Sequence, residues 1–163
     1  MGMNVGIVPL YGWGEKSDRA ADYVLDMRFK RESLIATLSL EGINAPMTYK
    51  GTLNGDLFGF YVVNVLAPTL NEGDVLVLDS LSVHKVKGVL RPLWDKGVWI
   101  VFLPVYSPDL NPIELVWSKM KMMIRKLRTR TEAELQVALT KAIEWITSDD
   151  IKGYFKHCGY ASI

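Results

Sequence analysis

Two carboxylates, Asp79 and Glu114, occupy positions from which acid chemistry can be built. Asp79 closes the apolar run DVLVLDS (74–80), and a charged group directly after a buried strand needs water, a partner or a metal, because burying it unpaired is costly. Glu114 follows a second apolar run, VWIVFLP (98–104), across a loop stiffened by Pro104, Pro108 and Pro112. Each also has a purely structural account. Asp79 can simply end its strand or cap the next helix. Glu114 falls at the third position of a helix that Asn111 caps and Pro112 begins, where a glutamate answers the cap and the helix dipole. Thr131 and Glu134 repeat that arrangement one helix later with nothing chemical nearby, so capping suffices for Glu114 taken alone. The pair reads differently. Reactive groups in open α/β sheets collect at the carboxyl ends of strands, and both acids could reach one cleft there. Converging carboxylates suit Mg²⁺ or Mn²⁺, hard cations that prefer oxygen. Two such ions about 4 Å apart stabilise the attacking and leaving oxygens of phosphoryl transfer.

The elements that must position these acids follow from periodicity. SLIATLSLE (33–41) alternates as a half-buried strand, and a turn at Gly42–Asn44 leads to a second strand, APMTYKG, in a hairpin. Asn54 caps a helix running to about Leu66 and stopping near Pro68. The runs at 74–80 and 98–104 read as fully buried strands, and the segment from His84 to Lys96 between them reads as a crossover helix, which makes the strand pair parallel. Helices follow at about 112–127, 132–146 and 149–157. Residues 1–22 read as irregular. The expected class is α/β, with a mixed central sheet flanked by helices.

With 163 residues, the chain is long enough for one domain that buries roughly 70% of its unfolded surface. The net charge of +1 gives no whole-molecule pull on an anionic partner, so any such attraction must be local. One cysteine, Cys158, excludes an internal disulfide, and Cys158, His84 and His157 do not make a zinc site. No signal peptide, myristoylation motif or membrane-length apolar run is present, so a cytoplasmic chain without a membrane partner is expected.

Charge is clustered at residues 119–130, KMKMMIRKLRTR, where Lys119, Lys121, Arg125, Lys126, Arg128 and Arg130 stand with no acid among them. Lys121, Arg125 and Arg128 share a helix face, leaving Met120, Met123, Ile124 and Leu127 to face the core. The face is either solvated, which suits the helix C-terminus, or a contact for a nucleic-acid backbone. The five tryptophans read as core or interface anchors, with Trp117 fixing the helix of Glu114 against the sheet, and Met120, Met122 and Met123 as packing.

LDSLSVHK (78–85) followed by FLPVYSPDLNPIELVWSKMK (102–121) resembles the DDE transposases of bacterial insertion sequences in the mariner superfamily. The likeness extends to YGWGEKSDR, LIATLSLEGINAP and FGFYVVNVLAPTL, and 34 residues lie between Asp79 and Glu114, as in one branch of that superfamily. The resemblance implies a ribonuclease-H-like catalytic domain that cuts and joins DNA with two divalent metals, Mg²⁺ or Mn²⁺. Asp79 would be the second acid of the triad and Glu114 the third. Asn111 would shape the loop, while His84 would orient DNA or begin the crossover helix. DNA, as transposon ends and target, would be the partner, with a homodimer at the bacterial nucleoid as the acting form.

Two departures stand out. Ser80 occupies the place where the family has Asn, and no acid precedes Glu15, although the family's first Asp lies on the first strand. Glu15, Asp18 and Asp22 align with nothing catalytic. The expectation is one partial catalytic domain over 1–163, with its first central strand largely missing and no helix-turn-helix domain. Such a chain is expected to transfer strands poorly or not at all alone. A non-catalytic DNA-binding or oligomerising remnant and a different ribonuclease-H-like nuclease are the competing readings.

Overall fold

In the computed structural model, residues 1–4 and 31–160 are described. Strands β1 (Gly2–Met3), β2 (Glu32–Ser39) and β3 (Gly42–Lys50) form an antiparallel sheet in that order, with Gly2 opposite Ser33 and Glu32 opposite Lys50. The first residues are therefore not wholly irregular, as β1 shows. Trp13, Glu15, Asp18, Asp22 and the rest of residues 5–30 lie outside the described residues.

The hairpin turns at Leu40–Glu41 rather than at Gly42–Asn44, and β3 starts earlier than its apolar pattern suggests. The reason is a bulge. Ile35 pairs with Met47 and Thr37 with Asn44, so Ala45 and Pro46 oppose the single residue Ala36. Ala45 takes a left-handed φ of 50°, and Pro46, which has no N–H for the ladder, fits at such an irregularity.

Alternation along β2 then feeds two separate cores. Leu34, with Ala36, Leu38 and Ile43 beside it, packs on the helical layer of α3 (Pro112–Leu127) and α4 (Glu132–Glu144) through Val116, Trp117, Met120, Ile124, Leu135 and Leu139. Ile35, Ala45 and Met47 face the opposite way, onto Phe58, Tyr61, Val62 and Leu66. Those four belong to α1 (Gly55–Tyr61) and its π-helical continuation Val62–Leu66. Asn54 caps α1 as expected, its Oδ1 accepting from Leu57 N at 2.9 Å, and Pro68 lies in the single 3₁₀ turn that ends the run.

Strands β4 (Val75–Leu78) and β5 (Trp99–Phe102) are parallel, as the pattern requires, with Val75 opposite Trp99 and Leu78 opposite Phe102. They form a second sheet, so the mixed sheet appears as two pieces: β1, at two residues, pairs with β2, and no ladder among the described residues joins it to β4. Leu76, Leu78 and Ile100 face the second core, but Val75, Val77, Trp99 and Val101 are exposed. Full burial of both runs is thus corrected to one face, because helical cover lies on only one side. The crossover is also broken up, into a 3₁₀ turn at Ser82–Lys85 and α2 (Arg91–Asp95), with Gly88 between them at φ 83°. A left-handed glycine interrupts any continuous helix there.

Along α3, Val116, Trp117, Met120, Met123 and Ile124 are buried as the spacing requires, whereas Met122 and Leu127 are exposed. Trp94 and Trp99 are likewise mostly in solvent and Trp145 is partly so, and none of the three is a core residue. α5 (Ser148–His157) packs on α3. Among the described residues, no helix is long and apolar enough to cross a membrane.

Candidate active site

Asp79 sits one residue past the end of β4, half-buried. Its Oδ1 is 2.7 Å from His84 Nδ1 and accepts from Leu81 N at 3.3 Å. A carboxylate only accepts, so the proton of this contact resides on Nδ1. The imidazole is itself held, with its ring 4.6 Å from that of Phe58 in the second core. The bond from His84 lowers the Asp79 pKa below its ordinary value; partial burial opposes it, and the His84 charge and the Leu81 N–H add to the lowering. His84 therefore does more than begin the crossover, since it fixes one oxygen of Asp79 and leaves the other open. Ser80 donates to Leu103 O at 2.7 Å, and Leu103 N donates to Leu78 O at 2.8 Å. In this chain the serine staples the start of the β5–α3 loop to the strand end that carries Asp79.

That loop leads through a 3₁₀ turn, Pro108–Leu110, to Glu114 in the first turn of α3. Asn111 occupies the cap position, but its side chain makes no capping bond; its carbonyl accepts from Glu114 N at 3.1 Å. The expected side-chain cap is therefore absent. The two comparison helices behave otherwise. Thr131 Oγ1 accepts from Glu134 N at 3.1 Å while Glu134 takes the Arg130 N–H, and Thr147 and Asp150 form a full capping box. Capping accounts for Glu134 and not for the carboxylate of Glu114, which is exposed.

The electrostatics place Glu114 beside the start of β1. The Met1 amino group donates to Leu34 O at 2.7 Å, and its pKa is lowered by burial first and by Lys121 next, while Glu114 pulls the other way. Asp79 is thus joined to His84, whereas Glu114 acts on the amino group that precedes β1. Among the described residues, no three His, Cys, Asp or Glu side chains group closely enough to form a ready metal cage. The donors at hand are carboxylate oxygens, one of them already oriented. They fit a hard cation that keeps most of its own water and do not fit zinc.

The basic cluster is not one free face. Lys119 pairs with Asp150 at 2.5 Å, Lys121 and Arg125 are half-buried, and Arg125 Nε is buried without a hydrogen-bond partner. Lys126, Arg128 and Arg130 are exposed around the end of α3, which Arg128 terminates at φ 48°. Two features escaped the sequence reading. Lys85 lies 5.5 Å over the ring of Phe102, at the same strand end as Asp79, and Tyr106 projects from the loop between Pro104 and Pro108 with 97% of its surface exposed. The bracketing prolines are the only local signal of the second.

Residues 1–136 match the family described as "DDE superfamily endonuclease". Similar solved structures include a Mos1 transposase paired-end complex with left transposon end (TM-score 0.77, 16% identity, 96% of this chain and 49% of that one). A Mos1 strand transfer complex gives TM-score 0.76 at 16% identity over 97% and 49%, and a pre-cleavage Mos1 transpososome 0.79 at 15% over 98% and 51%. The chain therefore spans about half the length of the chains it matches, and at these identities the likeness is one of fold: mixed α/β of the ribonuclease-H-like kind. No curated protein matches it.

Proposed function

The chain belongs to the DDE superfamily of endonucleases, and from that premise we propose that it is the catalytic domain of a mariner-type transposase, acting on DNA through Asp79 and Glu114. The observation that carries this reading is the placement of Asp79 at the carboxyl end of a parallel strand, with one carboxylate oxygen oriented by His84 and the strand end stapled by Ser80 to the loop that leads to Glu114. A bound Mg²⁺ or Mn²⁺ would polarise phosphate oxygens there and neutralise charge as it develops. Asp79 and Glu114 would hold the ion, His84 would keep Asp79 in one orientation, and Asn111 would shape the turn into α3. Lys121, Arg125, Lys126, Arg128 and Arg130 would hold the DNA backbone, with Lys119 available only when Asp150 releases it. An insertion sequence of bacterial origin, one domain over 1–163, a homodimer and a place at the nucleoid complete the reading.

A second form of the proposal is that the chain by itself is an inactive fragment or a DNA-binding remnant; the absence of an acid ahead of Glu15 in this sequence supports it. Mn²⁺ titration followed by electron paramagnetic resonance, with nicking of a terminal-repeat DNA in parallel, tests both. Weak Mn²⁺ binding lost on Asp79→Asn, with no nicking, is the expected result. Nicking that survives in the pure chain and vanishes on Asp79→Asn would overturn the inactive form, and Mn²⁺ binding indifferent to both acids would overturn the site.

A further inference from the structure

The loop tip between β5 and α3 carries a feature that the acid site does not use. Val105 is 61% exposed and Tyr106 97%, and Tyr106 holds a left-handed φ of 59°. Solvent-facing left-handed positions ordinarily go to glycine or asparagine, because a bulky side chain there is sterically disfavoured. Tyr106 accepts that conformation and, with its ring in water, recovers nothing by burial. The loop nevertheless holds it firmly. Pro104 and Pro108 restrict the backbone on either side, and Leu103 is tied to Leu78 O through its N–H and to Ser80 Oγ through its carbonyl. The far end is held by Tyr160, whose hydroxyl donates to Leu110 O at 3.0 Å. An aromatic plane is thus presented on a short, anchored turn. Tyr106 is three residues from Leu103, hence within about 11 Å of it, and Leu103 N donates to the carbonyl of Leu78, the residue before Asp79.

A second group points to the same ligand. Lys85 lies over the ring of Phe102, the last residue of β5, and puts a cation at this end of the sheet. An exposed aromatic face and a cation at one end of a sheet are the parts with which proteins hold unpaired nucleotides: the base stacks and the phosphate is neutralised. Inside a duplex the base faces are already stacked, so such a face needs a base that is unpaired, terminal or flipped.

We propose that Tyr106 is a stacking platform for an unpaired nucleobase next to the acid site, with Lys85 contacting the adjoining phosphate. The inference rests on the DNA-processing reading. It does not depend on Asp79 or Glu114 holding metal.

The test uses the full chain and two DNAs of the same sequence, one blunt and one with a three-nucleotide 3′ overhang carrying 2-aminopurine. Dissociation constants are read by anisotropy and stacking by 2-aminopurine quenching. The wild-type chain binds the overhang more tightly than the blunt duplex and quenches the probe. Tyr106→Ala weakens overhang binding about tenfold, abolishes quenching and leaves blunt-duplex affinity unchanged. Tyr106→Asn, which tolerates the left-handed backbone, behaves like the alanine variant, and Tyr106→Trp retains both signals. Quenching and overhang preference that persist in Tyr106→Ala, or a wild-type chain that binds both DNAs equally, would overturn the inference while leaving the DNA-processing reading in place. A wild-type chain that binds neither DNA would overturn both.

Discussion

Replacing Asp150 with alanine tests how firmly the helix of Glu114 is held. One carboxylate oxygen of Asp150 accepts from Thr147 N at 2.9 Å, from Thr147 Oγ1 at 2.8 Å and from Lys119 at 2.5 Å. It therefore starts α5 and clamps it to α3 together. The Lys119 bond is the main cause that draws the Asp150 pKa from 3.8 down to about 2, with the Thr147 N–H helping. A shift of that size corresponds at most to about 2.4 kcal/mol at neutral pH. The two side chains are 26% and 23% exposed, so water screens the pair and about 1 kcal/mol of this is expected to survive. Loss of the capping contact costs about 1 kcal/mol by an independent route and overlaps with the first figure. Asp150→Ala should then cost about 1–2 kcal/mol in urea unfolding followed by tryptophan fluorescence.

The pH dependence has a definite sign. The folded-state pKa is depressed, so the contribution is complete above about 4 and disappears as the pH falls through about 2. Wild type and variant should therefore differ at pH 6 and converge near pH 2. A difference below about 0.3 kcal/mol at pH 6, or one that persists undiminished at pH 2, would refute this account of the clamp.

Tyr61 is 1% exposed and its hydroxyl has no hydrogen-bond partner, with burial pushing its pKa far above the usual range. Tyr61→Phe should leave stability unchanged or raise it by up to about 1 kcal/mol, and a thermal melt showing a clear loss would reveal a hidden partner. His84→Ala should let the Asp79 carboxyl rise back toward its ordinary pKa, because the depression comes first from the His84 bond. The carboxyl ¹³C shift of Asp79 followed against pH checks this, and a midpoint that does not move would place the cause elsewhere.

What proved legible in the chain was local. Asn54 and Thr131 each cap within three residues, and the α3 stripe from Val116 to Ile124 repeats every turn, so the starts of α1 and α4 and the core face of α3 could be read from neighbours alone. The parallel pairing of 75–78 with 99–102 also followed, since two apolar runs joined by a crossover have few other solutions. What failed depended on distant partners. Whether Val75 and Trp99 are covered depends on a helical layer, and pattern alone cannot say that it lies on one side only. The Ala45–Pro46 bulge fixes the hairpin register, yet it exists only opposite Ala36. Asn111 and Thr131 look alike as caps, and only Thr131 makes the bond. The place of Asp79 just after a strand followed from the apolar run before it, but the grip of His84 on it needed the turn at 82–85 to fold back.

The division into two cores has a mechanical consequence. Asp79 extends from the core built on Phe58, Leu66 and Leu76, and Glu114 from the one built on Leu34, Val116 and Met120. The β2–β3 hairpin lies between them and contributes side chains to both. The gap between the acids is therefore set by how both cores pack on the hairpin, as well as by the loop that Ser80 ties down. An ion gripped from both sides would act as a strut, and the rigidity it added would be measurable as slowed amide exchange along β2 and β3, far from either carboxylate.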